Sequence, residues 1–187
     1  MAKNGIETPS YVVLQKLAKN IEIRKYFPSK WTCAVADGPA GDYRTNLSGN
    51  MFNKLFRYIS GENNYTTEIK MTSPVVVDYK SLNNKNIDTS KVPCTMQMGF
   101  FLPKEFHNDS PFPIREGMYT KIEPEMTVAV IRYNGYTDFN TIIAHKFALI
   151  EALGDSAKFF DCQNLVTAGY NAPFDPVQTH EVWLRKI

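Results

Sequence analysis

IEIRKYFPSKW (residues 21–31) opens as a β-strand of strict alternation and breaks off at Phe27-Pro28. Ile21 and Ile23 share one face, Glu22 and Arg24 the other, and the same period puts Lys25 with the isoleucines. A cation on the apolar side of a strand is the first oddity of the chain. The second is that its Ile-Arg step returns at 131–132, inside TVAVIRYNGYT (127–137).

Working outward, YVVLQKL (11–17) joins this strand through Lys19-Asn20 as a hairpin. Segment 28–45 carries Pro28, Gly38, Pro39 and Gly41 and is expected to be a loop. NLSGNMFNKLFRYISGEN (46–63) reads as a helix, with Met51, Phe52, Leu55, Phe56 and Ile59 on one stripe and Gly61 as its end. That stripe is broad, so its Phe52–Phe56 edge is a candidate surface rim, which Arg57 would guard. Strands are expected at 68–79 and 94–103, then a polar, proline-rich connector over 104–117.

The order then repeats. MYTKIEP and MTVAVIRYNGY form a strand pair, 137–155 a helix on Phe139, Ile142, Ile143, Phe147, Ile150 and Leu153, and LVTAGYNAPF and HEVWLRKI the closing strands. Two ββαββ halves, about 10–105 and 118–187, predict one domain of α+β class. The expected architecture is a distorted, largely antiparallel, eight-stranded barrel-like sheet flanked by two α-helices.

The 187 residues are 43% hydrophobic, enough for one sizeable core, and the net charge of +2 with no basic stripe argues against a nucleic-acid partner. No window is long and apolar enough for membrane insertion, and the N-terminus lacks the apolar stretch of a signal peptide. Cys33, Cys94 and Cys162, an odd number without a C-x-x-C pair, read as reduced thiols of a cytoplasmic protein. No nucleophile elbow, phosphate loop or H-E-x-x-H is present, so no catalytic residue is assigned and a binding protein is expected rather than an enzyme. His107, His145 and His180 have no metal-ligand spacing, and the Glu123-Pro-Glu125 carboxylates have no visible acid–base partner.

Five stretches taken together carry a resemblance: 21–31, IKMTSPV (69–75), EMTVAVIRYNGY (125–136), TAGYNAPF (167–174) and EVWL (181–184). In this order they are similar to the SOUL / haem-binding protein family, closest to its haem-binding protein 2 branch. The resemblance implies weak, reversible binding, buffering or transport of a tetrapyrrole, haem b or protoporphyrin, in an open apolar cleft between the first helix and the last strand connection. Position by position it implies Phe52, Leu55 and Phe56 as floor, Arg57 as a propionate partner, and Tyr170 and Phe174 as lid. A second propionate-pairing lysine would fall on Asp175, which repels instead. The family's proposed axial histidine falls on Lys25, whose stem can pack while its ammonium stays wet, and which would have to lose a proton to ligate iron. The branch also implies an alternative, a protein-interaction module related to cell death through a BH3-like segment of the second helix, LIEALGDSAKF (149–159).

Overall fold

A computed structural model of the chain describes residues 6–41, 46–80, 93–171 and 175–187. In chain order these form β1 (Tyr11–Ala18), β2 (Ile21–Tyr26), β3 (Ser29–Pro39), α1 (Asn46–Ile59), β4 (Val75–Lys80) and β5 (Pro93–Phe101). β6 (Met118–Glu123), β7 (Met126–Asn134), α2 (Phe139–Leu153), β8 (Leu165–Gly169) and β9 (Thr179–Arg185) follow. The α+β class and the barrel-like antiparallel sheet are as expected, but among the described residues the sheet has nine strands and does not close.

The additional strand is β3, in the segment expected to be a loop. The breakers Gly38, Pro39 and Gly41 cluster at its far end, and nothing in 29–37 opposes an extended chain. Extension is then rewarded on both edges, because β3 pairs with β5 from Trp31↔Phe101 to Pro39↔Pro93 and with β6 from Ser29↔Glu123 to Ala34↔Met118. Conversely, the strand expected over 68–79 begins only at Val75, after a cis Ser73–Pro74 peptide.

The order across the sheet is β1-β2-β7-β9-β8-β4-β5-β3-β6. With β1 set aside it reads alike from both ends: β2-β7-β9-β8 and β6-β3-β5-β4. By this order β3 matches β7, so the two Ile-Arg steps do not occupy equivalent strands. They lie instead on neighbours, since β2 pairs directly with β7.

Two very short links shape the whole. Phe27-Pro28 joins β2 to β3, and Pro124-Glu125 joins β6 to β7, yet the strands of each pair lie towards opposite ends of the sheet. A two-residue link lets the strand ends it joins lie no more than about 11 Å apart, so the sheet must coil until its ends meet. Lys25 now has its explanation: its Nζ lies 2.8 Å from Glu125, so the cation before one crossing is tied to a carboxylate within the other.

Both helices pack on one face of the coil, over a single core that runs from Met51, Leu55 and Tyr58 of α1 through Phe100 and Val182 to Ile142 and Leu149 of α2. The buried stripe of α2 is Phe139, Ile142, Ile143, Lys146, Leu149 and Leu153, while Phe147 of the expected stripe is exposed. Among the described residues no helix covers the other face, which coiling turns into the interior. Its apolar patches centre on Trp183 with Val128, Val130 and Val166, and on Trp31 with Cys33 and Phe101.

Candidate functional site

Along α1, 100° per residue puts Met51, Leu55, Tyr58 and Ile59 against the sheet and turns Phe52 and Phe56 outward on one flank. The Phe52 ring meets Phe100 of β5 edge-on at 5.3 Å. Phe56 lies nearly parallel to Phe52, at 6.1 Å between centroids and 12° between planes, and is 50% exposed. Phe100, Val75 and Gly169 are register partners across β5, β4 and β8, and this row leads from the Phe52 contact towards the β8–β9 connection. An aromatic flank is therefore present on the outer side of α1.

The remaining expected site residues are distributed differently. Leu55 is fully buried and backs the flank from inside the core rather than forming its surface. Arg57 stands about 100° round the helix from Phe56 and lines a separate cavity of about 430 Å³, between Val35 and Ala36 of β3 and Asn50 and Lys54 of α1, beside Arg115. Its guanidinium is 3.7 Å from Glu62. Phe174 lies outside the described residues. Asp175 is described, and its carbonyl accepts a hydrogen bond from Gln178 Nε2 at 2.9 Å. Lys25 is on β2, separated from β5 in the sheet by β7, β9, β8 and β4, and is held by Glu125.

Tyr170 lies on the other face of the sheet from α1. Alternation along β8 sends Leu165, Thr167 and Gly169 to the helix face, and Val166 and Ala168 to the interior, where Tyr170 follows them. Its hydroxyl donates to Glu181 Oε2 at 2.7 Å, and Arg132 lies over its ring at 5.1 Å. It belongs to an interior network, not to the surface of α1.

That network is what the sequence reading missed. Glu181 of EVWL is fully buried and accepts from both terminal positions of the Ile-Arg steps: Arg24 Nη1 reaches its oxygens at 3.0 and 3.1 Å, and Arg132 Nε at 2.9 Å. Trp183 Nε1 adds a bond at 2.8 Å. Burial opposes the Arg24 charge, but Glu181 and Glu22 outweigh it, so the guanidinium holds its proton more tightly than usual. Burial, reinforced by Glu181, likewise raises Tyr170 and keeps it a phenol donor. Four of the five stretches that carry the family resemblance thus contribute a partner to, or supply, one saturated carboxylate, whose role is structural. Two Ile-Arg steps and a glutamate in an apolar closing strand were the available signal.

Iron ligands are scarce at the aromatic flank. Burial pushes Cys33 up to about 12 and Cys94 up to about 11, and raises Cys162, so all three remain thiols at neutral pH. His107 Nε2 lies 2.9 Å from the Leu102 carbonyl, and His145 stacks on Tyr133 at 3.8 Å. Among the described residues no cluster of His, Cys, Asp or Glu is placed to hold a metal. The residues fit a planar apolar ligand better than a coordinated iron. In the 149–159 segment, Leu149 and Leu153 are buried and Ile150 packs against the core, so that segment would have to leave the fold to bind as a helix in a groove.

The fold class is shared with solved structures: the crystal structure of the EcmrR C-terminal domain superposes with a TM-score of 0.57 at 10% identity, over 89% of this chain and 98% of that one. The family is narrower. The chain belongs to the SOUL heme-binding protein family, whose model matches residues 6–185. It is 29% identical to human Heme-binding protein 2 over 98% of this chain and 87% of that protein. Its identity to Heme-binding protein 1 of Xenopus tropicalis is 22%, over 97% of this chain and 93% of that protein. Among the described residues no helix is long and apolar enough to cross a membrane.

Proposed function

We propose that this protein binds haem or another porphyrin weakly and reversibly on the aromatic flank of α1, and so buffers or carries free tetrapyrrole. The half-exposed Phe52–Phe56 stack carries this reading, and the names of the relatives support it. A large apolar side chain brought under a ligand contributes roughly 1.5–3 kcal/mol, whereas an exposed ion pair contributes about 0–1 kcal/mol. Ring contact with Phe52 and Phe56 therefore dominates. Arg57 would receive one propionate across the outer ridge of α1, and Asp175 would repel the other. Three free cysteines fit a reducing compartment such as the cytoplasm.

Haem would bring a redox-active iron. The chain's own residues would supply the platform, partial exclusion of water and one cation. Titration with hemin and, separately, with iron-free protoporphyrin, followed at the Soret band, tests this. Saturable one-to-one binding of both is expected, with loss of binding in Phe56→Asp and in the Phe52→Asp/Phe56→Asp double variant while far-UV circular dichroism is retained. Unchanged affinity in folded Phe56→Asp would sink the assignment of the flank.

A further inference from the structure

The cavity beside Arg57 lies on the other flank of α1 from the Phe52–Phe56 pair. A turn of 100° per residue sets Leu47, Asn50, Lys54 and Arg57 along one side, with the two rings about 160° away. The chain over 115–117 forms a further wall. Val35 of β3 donates its amide to the Gly117 carbonyl at 3.0 Å, and Lys54 Nζ donates to the Glu116 carbonyl at 3.0 Å. The space they enclose is about 430 Å³, room for a small organic molecule.

Two kinds of surface meet in it. Ala36, Leu47 and Met51 supply an apolar floor, and Lys54, Arg57 and Arg115 bring three cations to the wall. Glu62 meets two of them: Arg115 Nη2 donates to it, and Arg57 Nη1 lies 3.7 Å away. The Arg115 contact holds Glu62 below the usual carboxylate range, so its charge is present at neutral pH. Glu116 is exposed beside Arg115. Asp37 alternates to the face of β3 away from Ala36, where it accepts from Thr95 at 2.6 Å. Even with Glu116 counted, the cations exceed the carboxylates by one among the described residues. Arg115 Nε is also buried and without a hydrogen-bond partner, a donor left unmet at the cavity wall.

An excess of one positive charge matches a monoanion better than a dianion, and a planar guanidinium matches the two oxygens of a carboxylate. The apolar floor calls for a hydrocarbon body behind that group. We infer that this cavity is a second ligand site, on the far flank of α1, that binds a small carboxylate with an apolar tail. It does not rest on tetrapyrrole binding and shares only Arg57 with that proposal.

Hexanoate is the probe, and hexanamide, similar in shape and uncharged, is its control, both followed by isothermal titration calorimetry. A saturable one-to-one isotherm is expected for hexanoate, with hexanamide weaker by about tenfold or more. Asn50→Phe, at an exposed helix position, fills the cavity without changing charge and should abolish the isotherm. The Lys54→Gln/Arg115→Gln double variant, with far-UV circular dichroism retained, should bind hexanoate about tenfold more weakly. Phe56→Asp should change hexanoate binding by no more than about fivefold while it abolishes hemin binding. A linear isotherm, equal binding of hexanoate and hexanamide, or unchanged binding in folded Asn50→Phe would overturn the proposal. So would loss of hexanoate binding in Phe56→Asp, which would place the carboxylate on the aromatic flank. Hexanoate binding with the expected variant pattern, in a protein that binds no hemin, would uphold this site and overturn the tetrapyrrole reading alone.

Discussion

Glu181 shows how far one side chain can gather a sequence. Its carboxylate is bonded by Arg24, Arg132, Tyr170 and Trp183 from four separate stretches, with no oxygen left for a ligand. Glu181→Gln would leave the buried Arg24 guanidinium with Glu22 as its carboxylate partner and the neutral Tyr26 hydroxyl, and place it beside Arg132 without the charge between them. The loss of a buried pair on one side costs about 3–5 kcal/mol, and the urea midpoint should fall accordingly. Arg132→Gln, at a half-exposed guanidinium, should cost about 1 kcal/mol or less. Equal losses in the two variants would show that the network is not organised around the buried Arg24–Glu181 contact.

Lys146 is the opposite case, a buried cation whose recorded bond is a donation from Nζ to the Gln163 carbonyl at 3.2 Å. Burial lowers its pKa, partly offset by Cys162 and Asp161. The unfolded chain therefore binds more protons than the folded one between that lowered value and the ordinary lysine value of about 10.4, and stability rises with pH through that window. Lys146→Met should stabilise the protein at neutral pH by about 1 kcal/mol. Its advantage over the wild type should shrink as the pH approaches about 10.4. An advantage that stays constant with pH would mean that the effect is packing rather than charge.

At the level of elements, α2 is anchored by chemistry that a sequence displays. Asp138 is its N-cap, with Oδ1 accepting from the Thr141 amide at 2.7 Å, and Gly154 ends it at φ 53°. Asp138→Ala should cost about 1 kcal/mol in thermal or urea unfolding, and Asp138→Ser should recover most of that. Loss of far-UV helicity beyond the first turn would show instead that the cap holds the whole element. The helix boundaries were legible because caps and apolar spacing are local. β3 was not, since its extended form depends on β5 and β6, which come more than fifty residues later in the chain. The rotation of α1 was legible through its stripe, and from it the aromatic flank. The partition of that flank between core and surface was not, because Leu55 and Phe56 are equally apolar and only the sheet beneath decides which is covered.

At the level of the molecule, the two halves exchange strands. β2 pairs with β7 and β6 with β3, and one core contains residues of both helices. Neither half buries its sheet face alone. Separate expression of 1–107 and 108–187 should give chains without cooperative unfolding or dispersed amide resonances, and mixing them should restore both. A cooperatively folded isolated half would overturn this reading of the topology. The coil that joins the sheet's ends also decides which residues can form a site. Tyr170 and Phe56 are near in any linear account of the site and lie on opposite faces of the sheet in the fold.

The amino-acid sequence by itself determined the antiparallel α+β class, both helices, the aromatic edge of the first and the family, because each rests on periodicity, capping or contiguous motifs that act over a few residues. Tertiary structure alone decided the strand identity of 29–39, the pairing of Lys25 with Glu125, the convergence of Arg24 and Arg132 on Glu181, and the meeting of Lys54 and Arg57 with Arg115. These are long-range facts, set by which strands become neighbours when two two-residue links draw a nine-stranded sheet into a coil.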